Sequence, residues 1–320
     1  MTLAATPLSF DQARSLFGTM LDGGMSDADI SAMLIAIADR GETAPEIAGA
    51  ATAMRERMIA IEGLENALDV CGTGGDGQHS LNVSTAVAVV VAACGVPVAK
   101  HGNRAASSKA GTADTFEALG LNLQKAGEMA AMTLEEIGIA FFFAPSHHPA
   151  LGRIAPIRKA LGRRTIFNLL GPLANPARVR RQLVGVPHPS LIGLYRDAMA
   201  LLGMERAMIV SGNEGLDEIS VSGTSTFATI GMPLPGGEIS PDVVLMERHD
   251  PEALRGGDAE YNAAALTRLL MGETGAYRDA VLLNSAAALI VAGEVEDWHE
   301  GVEEAAEAID KGLAKGLLDC

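Results

Sequence analysis

From Ala67 onward the chain alternates short apolar runs with longer helical stretches, and nothing else constrains its fold so tightly. Ala67-Leu-Asp-Val-Cys71 reads as a strand, followed by Gly72-Thr-Gly-Gly-Asp-Gly77 and a helix from about Val83 to Cys94. Val96 to Ala99 is a second strand, Ile139 to Phe143 a third and Ala207 to Val210 a fourth. Strand–helix alternation of this kind predicts a mainly parallel sheet with helices on both faces. Residues 218–230, with Gly223 between two alternating runs, read as an antiparallel addition. Helical periodicity returns over 261–271, 278–292 and 297–314.

The first 66 residues behave differently. Leu16, Phe17, Met20 and Leu21 form one stripe, Ile30, Met33, Leu34 and Ile37 another, and Ile47, Ala51, Met54 and Met58 a third. The fold class that results is α/β: a small all-helical N-terminal domain and a large α/β domain with a mainly parallel central sheet. The expected boundaries are 1–66, joined by part of 155–185, and 67–320. Three short amphipathic helices cannot hide their apolar faces alone. A homodimer formed through them is the expectation.

Composition removes whole classes of function. With 40 acidic residues against 24 Lys plus Arg, the net charge of -16 opposes coating of nucleic acid or anionic lipid. The N-terminus lacks the basic start and unbroken apolar run of a signal peptide. The stretch from Ala86 to Cys94 is far short of the roughly 20 residues a membrane span requires. Three scattered cysteines (Cys71, Cys94, Cys320) form no disulfide framework, so the expected location is the cytoplasm.

Gly72, Gly74 and Gly77 satisfy the dinucleotide pattern G-x-G-x-x-G, but the context fails. The helix does not open at the loop, and the second strand ends in Lys100 rather than a ribose-binding acid. The residues after the loop are more telling. Asn82-Val-Ser84-Thr85 brings hydroxyls and N–H groups to a helix N-terminus, where phosphate is favoured. Lys100-His-Gly-Asn-Arg, continuing to Asp114, adds cations, an amide, hydroxyls and glycines at the end of the adjacent strand.

These segments, with HPALGRIAPIRKALGRRTIFNLLGPLANP and GLDEIS, resemble the anthranilate phosphoribosyltransferase family from Phe10 to the C-terminal helices. One departure is Leu81, where the family commonly carries Phe. The resemblance implies a nucleoside phosphorylase/phosphoribosyltransferase-like fold. It implies transfer of phosphoribose from 5-phosphoribosyl-1-pyrophosphate to the amino group of anthranilate, in tryptophan biosynthesis. It assigns the donor to Gly72, Gly75, Asp76, Ser80, Asn82, Val83, Ser84, Thr85, Lys100, Ser107, Ser108 and Thr112. The acceptor falls to Gly72, His101, Asn103, Arg158, Gly171 and Pro172, and Mg2+ to Ser84, Asp217 and Glu218. It also points to a homodimer.

The chemistry suits those residue types. Mg2+ binds one or two carboxylates together with substrate phosphates. A guanidinium such as Arg158 matches a benzoate carboxylate bidentately. Arg163, Arg164, Arg178, Arg180 and Arg181 are expected to form a positive funnel towards the cleft. His147 and His148 lack further ligands at zinc spacing, and His148 is expected near the pocket. No covalent nucleophile is required, because an aromatic amine attacks without a strong base. Pyrimidine nucleoside phosphorylases share related loops, and a nucleoside assay separates them. A nucleic-acid-binding paralogue would have lost the metal pair and gained a basic face.

Overall fold

A computed structural model describes residues 6–105 and 109–320; Ser107 and Ser108 lie outside the described residues. Local capping starts each N-terminal helix. Ser9 and Gln12 form a capping box before α1 (Phe10–Leu21), and the Ser26 hydroxyl accepts from the Asp29 amide before α2 (Asp27–Arg40). Before α3 (Ala44–Arg55), which has proline in its first turn, the Thr43 amide and hydroxyl both donate to Glu46 Oε2.

The apolar stripes of these helices are buried, and their partner surface is the chain itself. Phe17, Met20, Ile30, Leu34, Ile37, Ile47 and Met54 share one core with Ile154, Phe167, Leu170, Tyr195 and Ile209. The unpaired faces behind the dimer expectation are therefore already used within one chain.

Among the described residues, seven strands form a single sheet in the order β3-β2-β1-β4-β5-β6-β7. They are β1 (Leu68–Gly72), β2 (Val98–Gly102), β3 (Ile139–Phe143), β4 (Arg181–Gly185), β5 (Arg206–Gly212), β6 (Ser225–Ile230) and β7 (Gly237–Ile239). The first five are parallel; β6 and β7 add antiparallel at one edge. The apolar runs of the sequence mark β1, β2, β3 and β5 but not β4, the strand at the middle. That strand begins Arg-Gln, and its buried Gln182 breaks the apolar run by which an interior strand is recognised. The antiparallel addition starts at Ser225, because residues 218–222 form bends and irregular backbone.

Side chains alternate across the sheet. Leu183, Met208 and Val210 enter a second core with α4 (Val83–Ala93) and the helices Ala276–Ala292 and Trp298–Asp310. Val184 and Ile209 face the helical domain. Although α4 is rich in β-branched valine, it is helical because it is buried nearly all round; packing overrides propensity. Leu81 is buried, consistent with a packing role. Cys71 and Cys94 are half-buried rather than sealed in the core as their apolar surroundings predict. No helix among the described residues is long and apolar enough to cross a membrane.

Candidate active site

The five parallel strands end at one edge, and strand order reverses between β1 and β4. Open α/β sheets bind ligands at that switch point. Gly72 ends β1, Gly185 ends β4, and the two lie opposite each other in register. Neither tolerates a β-carbon. At Gly185 a Cβ would fall onto the backbone carbonyl of Asp217, and at Gly72 onto its carboxylate. The missing side chains leave a seat at the switch point, and Asp217 occupies it.

Around that seat the glycine loop closes. Gly74 and Gly75 have φ of +68° and +77°, a region L side chains avoid. The Gly74 amide donates to Asp217 Oδ2 at 2.7 Å. Asp76 lies against the same carboxylate, and Glu218 accepts from the Ser84 amide at 3.1 Å. Burial pushes the Asp217 carboxyl up to about 7, with the Asp76 charge adding to it. Burial, then Asp217 and Asp76, also holds the Glu218 carboxyl well above the usual carboxylate range. Glu218 Oε2 and Thr73 Oγ1 are buried without a hydrogen-bond partner among the described residues. Three carboxylates crowd together here with an acceptor atom to spare, an arrangement that a cation relieves. No group of three His, Cys, Asp or Glu among the described residues could hold a metal alone.

The neighbouring helix starts complete this wall. Thr85 and Thr112, at the first turns of α4 and α5 (Thr112–Ala118), bring their hydroxyl oxygens to 3.1 Å. Asp114 Oδ2 accepts from the Ala105 and Gly111 amides, both at 2.9 Å, and so closes the loop after β2. The expectation of free N–H groups at the start of α4 is met only in part. The Val83 amide donates to Leu81 O and the Ser84 amide to Glu218. Asn82 turns its amide away, donating to Ala110 O and accepting from Thr115 and Asn262. Ser80 bridges to Arg255, tying the loop's tail to the segment before helix Ala259–Leu270.

Lys100 is not at the surface of this wall. It is 1% exposed, and its ammonium donates to Val70 O at 2.6 Å and Ser84 Oγ at 3.3 Å. Burial lowers its pKa, which the buried Asp69 opposes. The lysine therefore reaches the site through Ser84.

A second wall is made of side chains. His101 Nδ1 lies 3.2 Å from Gly171 O, and its ring centroid is 5.3 Å from that of His148. Burial lowers His101 to about 3 and His148 to about 4, so both are neutral imidazoles at neutral pH. Both Nε2 atoms are buried without a partner among the described residues. Gln182 Nε2 donates to Pro172 O at 2.8 Å, fixing that turn from β4. Asn103 is exposed. Arg158 stands on the helix Ile154–Leu161, half-buried, with its guanidinium 5.2 Å from the Phe167 ring centroid. It has no acidic partner among the described residues, and burial lowers its pKa.

The arginine funnel needs correction. Arg181 opens β4 and pairs in register with Leu68, and Arg180 precedes it, so both are at the amino edge of the sheet, opposite the glycine loop. Arg180 pairs with Glu205, and Arg163 with Asp39 at 2.6 Å. Gly185 and Asp114 are the site residues that sequence reasoning misses. Gly185 is within its reach if Leu-Val-Gly is recognised as a strand end, as Val-Cys-Gly is for Gly72.

Comparison with known proteins agrees with this geometry. Residues 64–315 match the Glycosyl transferase family a/b domain, and residues 3–58 match its helical bundle domain. The anthranilate phosphoribosyltransferase of Novosphingobium aromaticivorans is 60% identical over 319 residues, covering 98% of this chain and 96% of its own. The crystal structure of the Thermus thermophilus enzyme of that name superposes with a TM-score of 0.94 at 41% identity, covering 98% of this chain and 95% of its own. The Saccharomyces cerevisiae enzyme in complex with PRPP and Mg gives a TM-score of 0.89 at 29% identity, covering 98% of this chain and 92% of its own.

Proposed function

The chain belongs to the anthranilate phosphoribosyltransferase family, and from that premise we infer which of its residues carry each half of the reaction. It transfers phosphoribose from 5-phosphoribosyl-1-pyrophosphate to the amino group of anthranilate, releasing N-(5-phosphoribosyl)anthranilate and pyrophosphate in tryptophan biosynthesis. It uses Mg2+. The observation that carries the residue assignment is the convergence of Asp76, Asp217 and Glu218 at the switch point, with Glu218 Oε2 unsatisfied.

The donor binds along the first wall: Gly72, Gly75, Asp76, Ser80, the Asn82–Thr85 turn, Lys100, Thr112 and the loop bearing Ser107 and Ser108. Asn82 and Val83 act by shaping the turn, since the Asn82 amide and the Val83 N–H are already engaged. Ser84, Asp217 and Glu218 hold Mg2+, which supplies positive charge to the pyrophosphate as it leaves. The glycine seat leaves room for this pair, and the unpaired Glu218 oxygen suits a hard cation. The acceptor binds against Gly72, His101, Asn103, Gly171 and Pro172, with Arg158 on its carboxylate. Neutral His101 adds no charge there. Its unpaired Nε2 can donate to or accept from the substrate, depending on tautomer.

The chemistry is then positioning and electrostatics. The glycosidic bond to pyrophosphate breaks, and the lone pair of the aromatic amine attacks the anomeric carbon. Loss of anthranilate fluorescence with donor and Mg2+ present tests the assignment. No loss at saturating substrates would refute it.

We further propose a homodimer through the helical domain, on the family resemblance alone; light scattering at micromolar concentration decides it. The core shared by α1–α3 and Ile154–Leu173 supports a helical domain of 1–66 joined by part of 155–185. Three free thiols and small, charged substrates support a cytoplasmic location.

A further inference from the structure

The carboxylate pair stands on a turn with little regular structure of its own, so something else must fix it. Upstream, the Gly212 amide donates to Leu216 O at 2.9 Å. Downstream, Ile219 comes directly after Glu218, and its backbone is held by a side chain distant in sequence. Asn284, 3% exposed on the helix Ala276–Ala292, accepts from the Ile219 amide and donates to the Ile219 carbonyl, both at 2.9 Å. Its amide thus pairs with one residue as a neighbouring strand would. The same Nδ2 donates to Ala280 O at 2.9 Å, which locks the side chain to its own helix. Asn284 also lines the small cavity bounded by Ser84, Asp217 and Glu218.

We propose that Asn284 is a positioning residue for the Asp217–Glu218 pair and thereby sets the affinity for the divalent cation. Among the described residues its hydrogen bonds go to Ile219 and Ala280 and to neither carboxylate, so it acts on the pair through the Ile219 backbone. The inference rests on the metal assignment proposed above. Leucine or alanine would pack in an apolar core as well as asparagine, and would need no partner. An amide buried among Val70, Leu183 and Val210 is explained by the two backbone groups it satisfies. Without it, the Ile219 N–H and C=O would be buried unpaired, and the turn would move to regain partners. Outer-shell partners of this kind typically change metal affinity about 10- to 100-fold.

The test uses Asn284→Ser, whose hydroxyl can still bond Ala280 O four residues back but cannot bridge to Ile219. Water-proton relaxation of Mn2+ in the presence of pyrophosphate reads the cation site without turnover, and the anthranilate assay reads Mg2+ half-saturation and both Michaelis constants. The expected result is Mn2+ affinity about tenfold weaker, Mg2+ half-saturation raised to match, and the acceptor's constant unchanged within about twofold. A folded variant with wild-type Mn2+ affinity overturns the proposal. So does equal weakening of cation and acceptor together with loss of the near-ultraviolet dichroism, which marks a general packing role. If Asn284→Ser does not fold, Asn284→Asp, which keeps the acceptor for the Ile219 amide and loses the donor, is judged by the same criteria. Should wild type itself take up no Mn2+ with pyrophosphate, the metal assignment fails first and the role of Asn284 with it.

Discussion

The two walls of the cleft are built from different materials. On the proposed donor side the groups are glycines that leave room for Asp217, backbone amides bonded to carboxylates, and carboxylates that burial has pushed upward. On the proposed acceptor side they are side chains: two neutral histidines pushed downward by burial, and an arginine without an acidic partner among the described residues. A polyphosphate is recognised by converging N–H groups and a metal, which a turn can offer. A flat benzoate needs shape and one directed cation, which only side chains supply. Donor binding should therefore be brittle and acceptor binding adjustable.

The harshest break is Asp217→Asn with Glu218→Gln, nearly isosteric changes that keep the acceptors for Gly74 and Ser84. Activity at working Mg2+ should fall by about 10³-fold or more. Stability should move the other way. Both carboxyls are raised in the folded state, so between the ordinary value of 3.8 for aspartate and about 7 the folded chain binds more protons than the unfolded one. Stability from this source is present below that window and lost as pH rises through it. Without Mg2+ the double variant should melt a few degrees above wild type at pH 8, and the gap should close towards pH 4. A variant that melts lower at pH 8 would show that the pair is not strained.

Gly185→Ala comes next. It adds one carbon where the Asp217 carbonyl stands, and a misplacement of about 1 Å can cost 10²-fold in rate. Donor turnover should fall by about that factor while anthranilate binding by equilibrium fluorescence persists. Equal loss of both would erase the contrast between the walls. Arg158→Ala should raise the acceptor's Michaelis constant about tenfold to a hundredfold, from the 1.5–3 kcal/mol of a charge-assisted bond, and leave the donor's alone. Smallest is Arg163→Ala. Its partner Asp39 is exposed, so the effect should stay below about threefold and fade with added salt.

The donor wall is more legible in the sequence than the acceptor wall, for a physical reason. A glycine loop, a helix start and a strand end lie within a few residues of each other, so Gly72 to Thr85 announces itself locally. The acceptor wall is assembled from residues as distant as His101, Arg158 and Gly171, and only the family resemblance joins them. Even on the donor side, whatever depends on β4 stays hidden. Its polar start conceals the strand, so Gly185 does not show itself as the partner of Gly72, and Arg180 and Arg181 read as belonging to the wrong edge. The burial of Lys100 is also unreadable, because a lysine at a strand end looks the same exposed or sealed.

The glycine seat under Asp217 also bears on how such an enzyme can change over time. A site made of absent side chains offers no variant to select, since every substitution at Gly72 or Gly185 adds atoms that collide with Asp217. Arg158 and its ring partner Phe167 stand on the proposed acceptor side, and truncating them intrudes on no carboxylate. A search for enzymes that accept altered aromatic amines should therefore spread its diversity over that wall, where novelty is cheap, and leave the phosphoribosyl chemistry inherited whole.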